Sequence, residues 1–279
     1  IGVEPSSNVA KISRKNGINT KNYFFNSKNV KKMKKIRQKT DLICAANAIC
    51  HIPDIPDLIK GIDYLLGKKG LFIFEEPYLG SMYEKTSYDQ IYDEHIFIFS
   101  VSSVMKIFKL YGFDLINVVP QKTHGGSMRY VVGRSGEHII NKSVLRLLQK
   151  EKRKKIDTID GCLRFKKKCE ISKNKLRSKI HGILKKGKKI AGYAATSKST
   201  TILNYCNINS NHIDFICDTT PNKINTFTPG THIPVVSVKY FKNNIPDYTF
   251  LFAWNHKKEI FKKEKKILKQ TKWFAHVKI

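Results

Sequence analysis

The sequence predicts an α/β protein made of two Rossmann-like units joined by helices. Three observations predict it. Short apolar runs alternate with stretches of helical spacing on both sides of a Lys-rich middle segment. The second half opens on a strand-loop-helix pattern, Gly192-Tyr193-Ala194-Ala195-Thr196-Ser197-Lys198. Far upstream, the acid–base run Tyr88-Asp89-Gln90-Ile91-Tyr92-Asp93-Glu94-His95 follows an apolar strand, where open α/β sheets carry their ligands.

Each element has a local reason. Ile1-Gly2-Val3-Glu4-Pro5 reads as the end of a strand, which suggests that an N-terminal part is absent. Ser6 or Ser7 caps a helix through Val9, Ala10 and Ile12, ending near Gly17. Asp41-Leu42-Ile43-Cys44-Ala45-Ala46 is a buried strand by its apolar run. Leu58, Ile62, Leu65 and Leu66 give a helix from Pro56, and Gly70 to Phe74 forms the next buried strand. Ser102 or Ser103 caps a helix bearing Val104, Ile107 and Phe108, stopped by Gly112. Strands at Phe113–Val118 and Met128–Val132 flank the turn Thr123-His124-Gly125-Gly126-Ser127. From Asn141 to Lys186 the spacing predicts a pair of amphipathic helices. Beyond Lys188 come strands at Lys189–Tyr193, Ile213–Cys217, Tyr248–Phe252 and Trp273–Val277. A short helix over Thr200–Tyr205 lies among them.

Composition narrows the function classes. The chain has 279 residues, 52 Lys and Arg against 22 Asp and Glu, and a net charge of +30. Lys dominates and is spread everywhere, without the aromatic-interleaved patches or Arg clusters that read bases. A basic surface of this kind argues for an anionic small substrate rather than nucleic acid. The six cysteines form no CxxC pair, so they predict neither a zinc site nor a disulfide framework. Free thiols point to a reducing, cytoplasmic setting. No apolar run of transmembrane length occurs, and oligomeric state is left open.

The motifs carry the chemistry. Glu4 ends a strand followed by a helix, where an acid accepts hydrogen bonds from ribose hydroxyls. Asn47 and His51 follow the next strand and are placed to line a pocket at the same edge. Glu75 and Glu76 end the strand after that and are expected to face that edge together. In Tyr92-Asp93-Glu94-His95, a neutral-pH base stands beside two acids and a phenol. A helix would put Tyr88, Tyr92 and His95 on one face. An extended strand would put Asp93 and His95 on one face and Tyr92 and Glu94 on the other. His124, beside Gly125 and Gly126, is the rival base. At Gly192–Ser199, backbone amides, Thr196, Ser197 and Lys198 are suited to a phosphate at a helix start. Asp218 at the next strand end leaves a dinucleotide site open, although no GxGxxG precedes it.

These stretches resemble the sugar C-methyltransferase family, class I S-adenosylmethionine enzymes that methylate a carbon of nucleotide-linked keto-sugars. The resemblance rests on Val3-Glu4-Pro5-Ser6, Ala46 to Asp54, Tyr88 to Ser100, His124 to Arg129, Gly192 to Cys206, Pro229 to Pro234 and Ala253-Trp254-Asn255. It implies a partial class I methyltransferase (Rossmann-like) domain over 1–135, a helical linker over 136–187 and a smaller Rossmann-like, nucleotide-sugar-binding domain over 188–279. It implies His95 as the base, Glu94 as its partner or a sugar contact, and Tyr92 as donor to an enolate oxygen. S-adenosylmethionine is then held by Glu4, Asn47 and His51. The substrate falls to Glu75, Tyr88, Tyr193, Thr196, Ser197, Lys198, Asn204, Asp218, His232 and Asn255. The loop 192–199 departs from the family's glycine-richer form at Ala194, Thr196 and Ser199.

The reading is a C-methyltransferase of deoxysugar biosynthesis that forms an enolate and takes the methyl in line. An NAD-dependent oxidoreductase or a non-catalytic polyanion binder is the alternative. The family's first strand with its Gly-rich cofactor loop, and its cysteine-rich N-terminal domain where zinc is expected, are not in this sequence. Residues 1–279 are therefore expected to bind S-adenosylmethionine weakly. Tight binding by calorimetry would contradict this.

Overall fold

The computed structural model describes residues 1–279. In chain order the elements are β1 (Gly2–Val3), α1 (Ser7–Lys15), β2 (Thr20–Lys21), α2 (Ser27–Val30), β3 (Thr40–Ala46), α3 (Ile55–Leu65) and β4 (Leu66–Pro77). Then come α4 (Leu79–Lys85), α5 (Val101–Lys109), β5 (Phe113–Gln121), β6 (Ser127–Arg134), α6 (Lys142–Lys154) and α7 (Ile159–Leu184). The last group is β7 (Ile190–Tyr193), α8 (Ser197–Cys206), β8 (Ile216–Asp218), β9 (Val235–Ser237), α9 (Val238–Asn243), β10 (Tyr248–Leu251), α10 (Lys257–Lys263) and β11 (Lys272–Phe274).

The chain forms two compact units. The first comprises Ile1–Tyr78, Ile96–Gln121 and Ser127–Lys154, and the second Leu79–His95, Lys122–Gly126 and Lys155–Ile279. The grouping differs from the linear division read from the sequence. α6 belongs to the first unit and α7 to the second, and the acid–base run joins the second unit although it lies early in the chain.

In the first unit the strand order is β3-β4-β6-β5. β3 and β4 are parallel, while β6 runs antiparallel to both neighbours. β1 and β2 form a separate parallel pair. The core between β4, β6 and α5 is aromatic: Phe74 stacks on Tyr130 at 4.9 Å and on Phe72 at 5.0 Å. β3 is not the buried strand its composition predicts. Its pleat sends Leu42, Cys44 and Ala46 to one face, where all three are exposed, Leu42 by 52%. β4 is longer than expected, since Leu66 to Lys69 continue directly out of α3.

In the second unit the sheet is all parallel, ordered β11-β10-β7-β8-β9. The first strand, β7, is central. The chain winds outward through β8 and β9, then returns to the other side of β7 through β10 and β11. This doubly wound order reverses between β7 and β10, and ligands bind beyond the carboxyl ends of strands at such a reversal. α8 and the turn Trp254–His256 start there. The first unit's mixed sheet and the second unit's doubly wound sheet are α/β, Rossmann-like layers, with α6 and α7 as the long helices between their strands.

Helix starts follow capping chemistry. The Asp54 carboxylate accepts from Asp57 N at 2.9 Å. Thr158 Oγ1 accepts from Gly161 N at 3.1 Å and Thr196 Oγ1 from Ser199 N at 3.2 Å. α5 is capped by Ser100, not Ser102 or Ser103. Ser100 is extended (φ −113°), and its hydroxyl and that of Ser103 cap reciprocally. Glu151 of α6, only 2% exposed, accepts from Val101 N at 2.7 Å, Ser102 N at 2.9 Å and Tyr78 OH at 2.8 Å. A carboxylate at a helix start satisfies orphan amides and complements the dipole. Removing it would strand two buried amides and a phenol, a penalty of about 1–3 kcal/mol for each unsatisfied group. No helix is long and apolar enough to cross a membrane.

Candidate functional site

The second unit holds a cavity of about 840 Å³. Two sequence motifs meet in it. Tyr88, Tyr92 and Glu94 line it from the acid–base run, and Ser197 and Asn204 from α8. The sequence reading assigns these motifs to different domains. Their meeting follows from long-range packing: the Tyr88 hydroxyl lies 3.4 Å from Ser172 Oγ and 3.7 Å from Cys206 Sγ. Burial raises the Tyr88 phenol well above its ordinary range. Tyr83, Phe165 and Tyr205 add aromatic walls, with Thr200 and Thr201 as further hydroxyls. Sequence reasoning missed these five.

The acid–base run is neither helix nor strand. A 3-10 turn at Tyr88–Gln90 is followed by a tight turn in which His95 N donates to Tyr92 O at 2.9 Å. This turn stacks the Tyr92 and His95 rings at 4.0 Å, tilted by 33°. His95 Nδ1 lies 2.9 Å from the Gln90 carbonyl. A carbonyl only accepts, so Nδ1 carries the proton and Nε2 is the basic nitrogen.

His124 lies in a different part of the second unit, in a 3-10 turn at φ +50°. That turn is clamped. Lys198 Nζ donates to the His124 carbonyl at 3.2 Å, and Lys85 Nζ donates to the Gly125 carbonyl. Trp254 packs its ring where a Cβ on Gly125 would stand, and Ser81 does the same at Gly126. Both glycines also have φ above +80°, so no other residue fits without strain. Lys198 is 8% exposed and lies 5.3 Å from the centre of the Trp254 ring. Burial lowers its ammonium pKa, partly offset by Asp89. One of the three ammonium donors of Lys198, a residue expected to contact phosphate, is thus directed to the His124 turn.

Behind Trp254 is Asp89, 0% exposed. Trp254 Nε1 donates to Asp89 Oδ2 at 2.7 Å, and His276 Nε2 lies 3.2 Å from Oδ1. Burial alone would raise the Asp89 carboxyl. His276, the Lys198 charge and the Trp254 N–H outweigh it and hold the carboxyl below the usual range. Asp89, Trp254 and His276 were not picked as functional from the sequence.

Other expected substrate residues are engaged elsewhere. Tyr193 points into the core, donating to Glu264 Oε1 at 3.0 Å beneath Trp273 and Phe241. Thr196 is the cap of α8. Asn204 Nδ2 donates to Thr200 O at 2.9 Å and Pro229 O at 3.1 Å. Asp218 accepts from Ala195 N and Thr220 N, both at 2.8 Å, so its carboxylate shapes the loop before α8. His232 is exposed in a turn at φ +53°, and Asn255 lies half-buried in the turn after β10.

In the first unit, Glu4 and Asn47 follow the carboxyl ends of β1 and β3. Glu4 Oε1 accepts from Ser6 N at 2.8 Å. Asn47 is held at φ +50°, with its amide donating to Glu75 O at 2.8 Å and its buried Oδ1 without a partner. His51 is exposed in the turn Ile49–His51. Glu75 and Glu76 do not face one edge together, because strand alternation sends them to opposite faces. Glu75 pairs with Arg129 at 3.1 Å. Glu76 is fully buried, its Oε1 accepting from Ala48 N at 2.9 Å and Ile49 N at 2.6 Å while Oε2 has no partner. Burial raises the Glu76 carboxyl, against the pull of those hydrogen bonds. A carboxylate at the end of β1 and an unpaired amide oxygen after β3 fit the hydroxyl and amino groups of an adenosyl cofactor.

Comparison with known proteins places the chain in a family. Residues 122–277 match the model of the C-methyltransferase C-terminal domain, and residues 1–118 match a methyltransferase domain. The chain is 29% identical over 269 residues to the C-methyltransferase NovU of Streptomyces niveus, covering 96% of this chain and 64% of that protein. The chain thus spans less than two thirds of that relative's length. Two solved S-adenosylmethionine-dependent methyltransferases show partial likeness. That of Thermotoga maritima has 22% identity and a TM-score of 0.36, over 47% of this chain and 72% of its own. That of Anabaena variabilis has 15% identity and a TM-score of 0.37, over 48% and 67%.

The Asp89 network makes a pH prediction. A carboxyl held below its unfolded value stabilises the fold fully above about pH 4. That contribution is lost as pH falls through the lower folded value. Asp89→Asn is expected to lower stability at pH 7 by about 1–3 kcal/mol, with the difference from wild type shrinking below about pH 4. Urea unfolding followed by tryptophan fluorescence reads this unit, which holds both tryptophans. A difference that stays constant from pH 3 to 7 would contradict it.

Proposed function

The chain belongs to the C-methyltransferase family, and on that premise we propose that it serves S-adenosylmethionine-dependent methylation of a carbon of a nucleotide-diphospho keto-sugar. The observation that carries the proposal is the cavity of the second unit. Tyr92 and Glu94 of the acid–base run share it with the hydroxyl-lined start of α8 and with four aromatic rings besides Tyr92. Aromatic walls suit a nucleobase and sugar, and hydroxyls at a helix start suit phosphate oxygens.

The chemistry follows from the side chains. A C–H beside a ketone is acidic enough for a positioned imidazole. His95 is not itself a lining residue of the cavity but stacks on Tyr92, which is; its Nε2 is assigned the proton, and the C–H electron pair moves onto the ketone oxygen. The proton on Nδ1, directed to the Gln90 carbonyl at 2.9 Å, fixes the reactive tautomer. Tyr92, stacked on the imidazole, donates its phenolic hydrogen bond to the enolate oxygen. Glu94, on the same cavity wall, accepts from a sugar hydroxyl. Glu4 and Asn47 of the first unit would hold S-adenosylmethionine, with His51 beside them. When bound, it would supply an electrophilic methyl group, its S–CH3 bond breaking as the new C–C bond forms.

In the full-length protein, His95→Ala is expected to slow deuterium exchange at the carbon beside the ketone by about 10²–10⁴-fold, the usual worth of a general base. Proton NMR of the keto-sugar nucleotide in deuterated water measures it. Unchanged exchange in that variant, with loss in His124→Ala, would move the base to His124.

A further inference from the structure

Away from the aromatic cavity, the second unit carries a separate groove of about 480 Å³. Five lysines line it: Lys85 of α4, Lys168, Lys175 and Lys179 of α7, and Lys278 after β11. Glu84 is the one carboxylate in its lining. The three lysines of α7 are spaced by seven and four residues. At 3.6 residues per turn they point in nearly one direction, along roughly 16 Å of helix.

These ammonium groups are partly ordered before any ligand arrives. Lys168 Nζ lies 4.3 Å from the centre of the Tyr83 ring and Lys179 Nζ 4.6 Å from that of Phe274. A cation held over a ring face keeps its charge and has less freedom to lose on binding. Lys85 is tied to the Gly125 carbonyl. His276 also lines the groove. Its side chain is 1% exposed, its Nε2 faces Asp89, and its Nδ1 has no hydrogen-bond partner. Cations gathered from three distant chain segments around one concavity repel one another and focus a positive potential into it.

We propose that this groove binds a diphosphate anion, either free pyrophosphate or the diphosphate of a nucleotide. Lysine ammoniums are point charges that suit tetrahedral phosphate oxygens, whereas planar carboxylates favour the guanidinium fork, which the groove lacks. Its volume lies within the range of small-molecule sites. The proposal does not rest on the methyl-transfer reading.

Pyrophosphate binding to the 279-residue chain can be followed by calorimetry and by phosphorus NMR. The triple variant Lys168→Ala/Lys175→Ala/Lys179→Ala is expected to lose at least tenfold in affinity, and so is the single variant Lys175→Glu at an exposed position, should the triple variant misfold. A control triple, Lys262→Ala/Lys263→Ala/Lys266→Ala, is expected to leave affinity within about twofold. No binding at about 10 mM pyrophosphate, unchanged affinity in the groove variants, or an equal loss in the control would overturn the site; the last would mark diffuse attraction by the net charge of +30. A nucleoside diphosphate binding tenfold more tightly, with the same lysine dependence, identifies a nucleotide as the source. Equal affinity identifies the free anion.

Discussion

The buried carboxylate of Asp89 is the interaction on which the second unit depends. It accepts from Trp254 Nε1 at 2.7 Å and faces His276 at 3.2 Å, and these partners are supplied by the two last segments of the chain. A buried acid with one partner removed leaves an uncompensated charge, which is among the most destabilising local changes a fold can suffer. Asp89 therefore fixes where Tyr88–His95 lies against the C-terminal sheet. Trp254, held by that bond, in turn packs under Gly125 and beneath the Lys198 ammonium. The turn that carries His124 and the cavity wall that carries Tyr92 are both consequences of one buried ion.

The first unit is organised differently. Glu4 and Asn47 follow strand ends, and its two buried carboxylates, Glu76 and Glu151, each accept from two backbone amides. Glu76 spends one oxygen on the amides of Ala48 and Ile49, which shapes the turn that presents Asn47 and His51. The other oxygen and the Asn47 amide oxygen are enclosed without partners, and buried polar atoms of that kind are uncommon in a finished core. The free edge of β3 belongs to the same region: an apolar cleft of about 700 Å³ runs between Ile1, Val3 and the strand residues Leu42–Ala45.

Much of this was legible in the sequence because it is local. The helix ending at Gly17, the strand over Phe72 and Phe74 and the loop before α8 all follow from caps, apolar runs and turn residues within a few positions. The pairing of Tyr92 with His95 was anticipated as a cluster, but its turn geometry was not, since neither helical nor strand periodicity describes it. Asp89 was legible only as one acid of that run, because its partner Trp254 is 165 residues away and nothing in a periodic pattern encodes that contact. The same distance effect hid the joining of Leu79–His95 to the second unit and the hydrogen bond from Lys198 to the His124 turn. Glu75 and Glu76 were misjudged because adjacent acids look like one feature in a sequence, whereas a pleated strand separates them.

The central claim is that the acid–base run and the start of α8 form one substrate cavity within a single unit. Two-dimensional amide NMR of the 279-residue chain, titrated with a nucleotide-diphospho-sugar, tests it directly. The account predicts concerted shifts at Tyr92, Glu94, Ser197, Thr200 and Asn204, saturating with one affinity. Shifts confined to either motif alone, or absent from both, would contradict it.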